Sequence, residues 1–441
     1  RPMRLPIVLA AICGLSACAP PAQVSKSGPS EEVGVGFGDL GPMRMAAPVG
    51  GNSRAQDFMD LTFAMENGSP LDVFSRFEGP VTVAMAGKAP TSAARDLGVL
   101  IGRLQNEAGI DIRPTTGPAT ITIEFATKSE LRRMAPTAAC FVVPNVSSMA
   151  EFRRLRGSDQ VDWAGVTQRE TAAIFIPVDT SPQEIRDCLH EELAQALGPL
   201  NDLYRLPNSV FNDDNFHSVL TSFDMDMLRM TYSPTLSSGM SRAEVAARLG
   251  VSPVRGDSGG TPGDWTHAIE TALGRSGSLA ARKAAAERAL AIAQDAGWQD
   301  GRAAFSYFAL GRIMAGTEPA RALDAFRSAA AIYGRMPGGA LQVAHVDMQL
   351  AAMALAGGLS EEAVQLADRA IPAVQENENY ALLATLMLIK AEALDRLGNP
   401  SAAAALRMDS APYARYGFGP DSVVQDRMRD IAAVAARASN G

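Results

Sequence analysis

Apolar positions along this chain follow two periods, and the change from one to the other divides it. Between residues 80 and 178 four short segments have the spacing or continuity of strands. Pro80–Ala86 (PVTVAMA) and Ala119–Phe125 (ATITIEF) alternate, while Cys140–Val143 and Ala172–Val178 are brief apolar runs. Helical spacing interrupts them: Leu97, Leu100, Ile101 and Leu104 predict a helix over Ser92–Ala108. A second helix is marked at both ends. Ser181 supplies an N-cap, Pro182 the first helical position and Glu184 a capping-box carboxylate, and the periodic run lasts to Leu197 before Gly198 stops it. Strands and helices mixed in this way predict an α+β domain, set at residues 54–235.

From about Trp265 the chain is alanine-rich and offers no strand. Gly316-Thr317-Glu318-Pro319 precedes ARALDAFRSAAAIY, Gly357-Gly358-Leu359-Ser360 precedes EEAVQLADRAI, and Gly398-Asn399-Pro400 precedes SAAAALRMDSA. These units recur at roughly 41 residues and resemble tetratricopeptide repeats, in which paired helices with small residues at their contact stack in a row. A degenerate copy is expected over Ala268–Ala296. The second domain is therefore an all-α, tetratricopeptide-like repeat array at 265–438, joined through a linker at 236–264.

The opening residues change the picture again. Arg4 followed by LPIVLAAICGL resembles a secretory signal, since the apolar run is too short to span a bilayer. Leu15-Ser16-Ala17-Cys18 resembles the bacterial lipobox, which implies a signal peptide over 1–17 and lipidation at Cys18. Alanine at position 19 implies, by the enterobacterial sorting rule, the outer membrane. Residues 18–53 are rich in Pro, Gly and Ser and read as a flexible tether. The formal charge of −8, with both signs mixed along the chain, excludes a nucleic-acid footprint. Only Cys140 and Cys188 remain for the folded part, and an oxidising periplasm invites their pairing.

One stretch carries a chemical signal. Glu191-Glu192-x-x-Gln195-x-x-Gly198-x-x-Asn201 is the frame of the extended zincin motif, H-E-x-x-H-x-x-G-x-x-H, with every histidine replaced. Residues four apart share a helix face, the glutamate between them reaches a metal-bound water, and the glycine lets the chain turn back. Downstream, Ser209-Val210-Phe211-Asn212 stands where matrixin-like metalloproteases have a turn beneath the metal. Leu220-Thr221-Ser222-Phe223-Asp224, with Leu228 and Tyr232, stands where they have a closing helix. The stretch from Arg186 to Arg229 also resembles a proteobacterial family of lipoproteins without assigned function, domain of unknown function 2927.

If the domain is a metal-dependent hydrolase, Glu192 is its general base, and Glu191, Gln195, Asn201 and Asp202 hold the metal. An alternative site uses His190 and His217 with Asp213 or Asp214. Carboxylates and amide oxygens are poor zinc ligands, and a harder divalent cation suits them better. The reading adopted is a non-catalytic binding or scaffold lipoprotein of the cell envelope. It needs no cofactor, meets the membrane through lipid, and takes a protein partner on the repeats. An atypical metallopeptidase is the rival reading, and a solute-binding module the weaker third.

Overall fold

The computed structural model describes residues 51–254, 262–274 and 276–437. Cys18, the signal peptide and residues 18–50 of the expected tether lie outside them, whereas residues 51–53, also assigned to the tether, begin the first helix. The chain forms two compact units.

The first unit is α/β. In order it contains α1 (Gly51–Thr62), β1 (Val81–Gly87), α2 (Thr91–Ala108), β2 (Ile112–Pro114), β3 (Ile121–Ala126), α3 (Lys128–Met134), β4 (Phe141–Pro144), α4 (Met149–Leu155), β5 (Ala172–Pro177), α5 (Pro182–Leu197), α6 (Ser222–Thr231) and α7 (Arg242–Leu249). The five strands make one mixed sheet in the order β2-β1-β3-β5-β4, parallel except for β4. Met85, Ile123 and Ile174 lie in register across its centre.

Strand β5 is buried along its whole length because both of its faces are covered. Ala172, Ile174 and Ile176 enter the larger core with Leu97, Leu100 and Leu104 of α2 and Leu189, Leu193 and Leu197 of α5. Ala173 and Phe175 turn to a smaller core with Leu131, Val143 and Met149, where the Phe175 ring centroid is 5.1 Å from that of Phe141. That explains why the segment reads as an unbroken apolar run, whereas β3, buried on alternate residues, reads as an alternation. The expected strands and both expected helices are present within a residue or two. The segment assigned to a linker is different: Leu236 and α7, through Val245 and Ala246, are buried in the larger core. With only two apolar residues directed inward, α7 is too short for its periodicity to stand out.

The second unit is all-helical and takes in residues 214–216 together with the chain from 262. Its helices are α8 (Gly263–Leu273), α9 (Leu279–Asp295), α10 (Gly301–Met314), α11 (Pro319–Tyr333), α12 (Ala340–Ala356), α13 (Ser360–Glu376), α14 (Tyr380–Arg396), α15 (Pro400–Phe418) and α16 (Asp421–Arg437). They pack as consecutive pairs, and α16 lies against α12, α14 and α15. The second helices of three pairs start at Pro319, Ser360 and Pro400, a period longer than the roughly 34 residues of a tetratricopeptide repeat. Small residues set the pair spacing. A Cβ on Gly311 would stand 2.7 Å from the Phe326 ring, and one on Gly417 would stand 2.5 Å from the Ala381 Cα. Phe216 sits within this unit among the rings of Phe305, Phe308, Tyr333 and His345, 4.4 Å from the last by centroids.

Because the obstacle at Gly417 is backbone, Gly417→Ala should destabilise the helical unit by about 1–3 kcal/mol in chemical denaturation. By contrast, Gly102→Ala, in α2 with open space around the added carbon, should stabilise by about 0.5–1 kcal/mol through helix propensity. Equal effects at the two glycines would remove the close-packing account.

Candidate functional site

Helix α5 carries Glu191, Glu192 and Gln195, and its two ends are fixed by different means. At the start, Ser181 Oγ accepts from the Glu184 amide at 3.2 Å while the Glu184 carboxylate accepts from the Ser181 amide at 3.1 Å, with Pro182 at the first helical position. Midway, Cys188 is joined by a disulfide to Cys140, just before β4, with the two Cα atoms 6.1 Å apart.

At the other end the unpaired carbonyls of the last turn are met by side chains. The buried Arg169 guanidinium donates to the carbonyls of Gln195, Ala196 and Gly198 at 2.6–2.7 Å. Tyr232 Oη donates to the carbonyl between them, Leu197, at 3.0 Å. Burial pulls Arg169 down to about 10 and pushes the Tyr232 phenol well above its ordinary range. At neutral pH Arg169 is thus a cation held by four backbone and aromatic neighbours, its guanidinium carbon 4.8 Å from the Trp163 ring centroid.

Several residues of the frame prove to be structural. Asn201 is buried, and its Nδ2 donates to the Asp60 carbonyl at the end of α1, 2.9 Å away. Asp224 has no exposed surface and accepts from Ser209 Oγ at 2.6 Å, from the amides of Val210 and Thr221, and from Thr221 Oγ1. Burial raises its carboxyl to about 6 while those hydrogen bonds act the other way. The turn holding the buried Phe211 is fixed by these bonds. Gly198 leaves room for Thr231, whose Oγ1 would lie 2.9 Å from an added Cβ.

The imidazoles are buried as well. His190 Nδ1 accepts from the Leu220 amide at 3.1 Å, and burial, aided by Arg186 and Arg103, holds its pKa well below the ordinary value. His217 is buried and pulled down to about 4 by that burial. Among the described residues, neither belongs to a group of three or more side chains placed to share a metal.

What the fold does assemble is a carboxylate cluster. One ligand atom each from Glu66, Asp202 and Asp213 lie within 4.8 Å of one another, and carboxylate oxygens of Glu191 and Glu192 are equally close to each other. Cys140 Sγ is beside that second pair, but the disulfide removes it as a ligand. Burial first, then repulsion from Glu66, Asp213 and Asp187, raises Glu191 to about 7. Burial, with Glu191 and Glu66, raises Glu192 well above the carboxylate range. Asp202 is raised the same way, with Asp213, Glu191, Glu66 and Glu192 all adding to its burial. Of the ligand positions drawn from the zincin frame, Glu191 and Asp202 enter this cluster. Gln195 contributes its backbone carbonyl to Arg169, and Asn201 its amide to α1.

Sequence reasoning missed Glu66 and Arg169. Glu66 lies in a turn, in the run Met-Glu-Asn-Gly-Ser, and Arg169 lies in the loop before β5, so neither has a periodic partner that would mark it.

Residues 52–250 match the model of a family described as a protein of unknown function (DUF2927). No curated protein and no solved structure matches the chain.

Two outcomes follow. Arg169→Lys keeps the charge but loses the planar fork, so carbonyls stay unpaired; chemical denaturation should register a loss of about 2–4 kcal/mol, and a loss below ~0.5 kcal/mol would refute the capping role. For Glu191, whose folded pKa is raised from 4.5 to about 7, the folded state binds the proton more tightly than the unfolded chain. Stability in chelator should therefore fall as pH rises from about 4.5 to 7 and stay low above it. Glu191→Gln should flatten that decline and gain roughly 1–2 kcal/mol at pH 8, measured by melting across pH.

Proposed function

We propose that the chain is a lipid-anchored binding protein of the cell envelope. It is acylated at Cys18, tethered through the residues between Cys18 and α1 to the periplasmic face of the outer membrane, and contacts a protein partner through its helical unit. The observation that carries the reading is how that unit handles Phe216. An aromatic side chain on a short segment is received by Phe305, Phe308, Tyr333 and His345, which is the way paired-helix arrays take up a peptide. On α12, Gln342, His345 and Gln349 follow one another at helical spacing as buried polar residues, and the His345 ring lies against that of Phe216.

The state of the zincin frame supports a non-hydrolytic role. A peptidase of that type needs three ligands and a glutamate around one open metal position. Here the position of the last ligand belongs to Asn201, a neutral amide whose Nδ2 is bonded to the α1 carbonyl, and the two imidazoles nearby are buried with lowered pKa values.

In a Gram-negative host, Cys18→Ala should abolish palmitate incorporation and move the chain from the membrane to the soluble fraction. Crosslinking in intact envelopes should join the helical unit to a defined protein, and the paired substitution His345→Ala with Gln349→Ala should remove that product while Glu130→Gln leaves it. Zinc-dependent peptide hydrolysis that disappears in Glu192→Gln would overturn the reading in favour of a peptidase.

A further inference from the structure

We propose that Glu66, Asp202 and Asp213 form a binding site for one hard divalent cation, calcium by preference, with Glu191 and Glu192 as its inner acidic wall. Backbone contacts, not side-chain chance, bring the three ligands together. The Glu66 amide donates to the Leu200 carbonyl at 3.0 Å, which places its turn beside the segment that carries Asp202. The Leu203 amide donates to the Phe211 carbonyl at 2.9 Å, which closes the loop between Asp202 and Asp213. Two segments, the turn at Glu66 and the connection from α5 to α6, are thus pinned so that the three carboxylates converge.

The spacing fits an ion. Calcium holds oxygens at about 2.4 Å, so ligands on opposite sides of it stand up to about 5 Å apart. The three oxygens, all within 4.8 Å of one another, are inside that limit. A cluster of acids alone would not argue for a ligand, but two of its atoms lack what buried oxygens normally have. Glu192 is 4% exposed, and its Oε2 is buried with no hydrogen-bond partner; Asp202 Oδ1 is buried in the same condition. An unpaired buried carboxylate oxygen costs several kcal/mol unless a cation or a proton meets it.

Ligand chemistry selects the class. All donors are carboxylate oxygens, the one nearby sulfur is in a disulfide, and no imidazole joins the group among the described residues. Oxygen-only sites on loops suit calcium, whereas zinc seeks nitrogen and sulfur. The cation would bind where the zincin frame ends, using Glu66 and Asp213 from outside that frame.

The test is calorimetric titration of the full chain, stripped with chelator, with the chlorides of calcium, magnesium, manganese and zinc. One saturable calcium site is expected, with a raised melting temperature. Asp202→Asn with Asp213→Asn should weaken calcium at least tenfold, yet melt no lower than the parent in chelator because repulsion is relieved. Should that pair fail to fold by circular dichroism, the exposed Glu66→Gln carries the test, with calcium at least threefold weaker. Absence of saturable calcium binding up to about 10 mM, tighter binding of zinc than of calcium, or unchanged calcium affinity in the folded variants would overturn the assignment. None of these outcomes depends on whether the helical unit has a protein partner.

Discussion

The α/β unit depends on how the C-terminal end of α5 is closed. A helix ends with four carbonyls that have no partner within it, and here that end is buried beside the sheet. Arg169 takes the carbonyls of Gln195, Ala196 and Gly198, and Tyr232 takes that of Leu197. The guanidinium charge also faces the negative end of the helix dipole, which offsets part of the cost of burying it. Both side chains come from elsewhere: Arg169 from the loop before β5, Tyr232 from the end of α6. One constraint thus fixes the angle at which α5 leaves the sheet and the place where α6 returns.

With that end closed, the residues after Gly198 have little freedom. Asn201 is locked to α1, and Leu200 and Leu203 are held by backbone bonds to Glu66 and Phe211. Asp202 is left close to Glu66 and Asp213, so the acidic cluster is a product of the same local geometry that secures the helix. Its mutual repulsion destabilises the charged fold. Folding tolerates this because the disulfide to Cys188, the capping box at Ser181 and the Asp224 network hold α5 and the turn before α6 independently of the cluster.

Much of the scaffold was legible because its signals are local. The alternation in ATITIEF, the capping box at Ser181 and the Gly398-Asn399-Pro400 break before α15 each depend on neighbours in sequence, and each element starts or ends close to where those signals place it. The site was legible only in part. Glu191, Glu192 and Asp202 were visible because they share one helix and its exit, but Glu66 lies well upstream and reaches them through a backbone bond that no spacing encodes. Arg169 was invisible for the same reason, since a carbonyl acceptor has no sequence signature. The segment 236–250 was misread as a linker because a short helix burying Val245 and Ala246 offers too few periods to be seen.

The same reasoning separates the two units in what they can do. The helical unit is built by repetition: glycine at 311 and 417 lets paired helices approach so closely that an added carbon would collide. The α/β unit has instead one non-repeating junction, where the buried Arg169 caps a helix while Glu192 Oε2 and Asp202 Oδ1 nearby are buried without a hydrogen-bond partner. A fold that can bury Arg169 at this junction and still leaves Glu192 and Asp202 uncompensated is best understood as one in which their balancing charge comes from outside the chain.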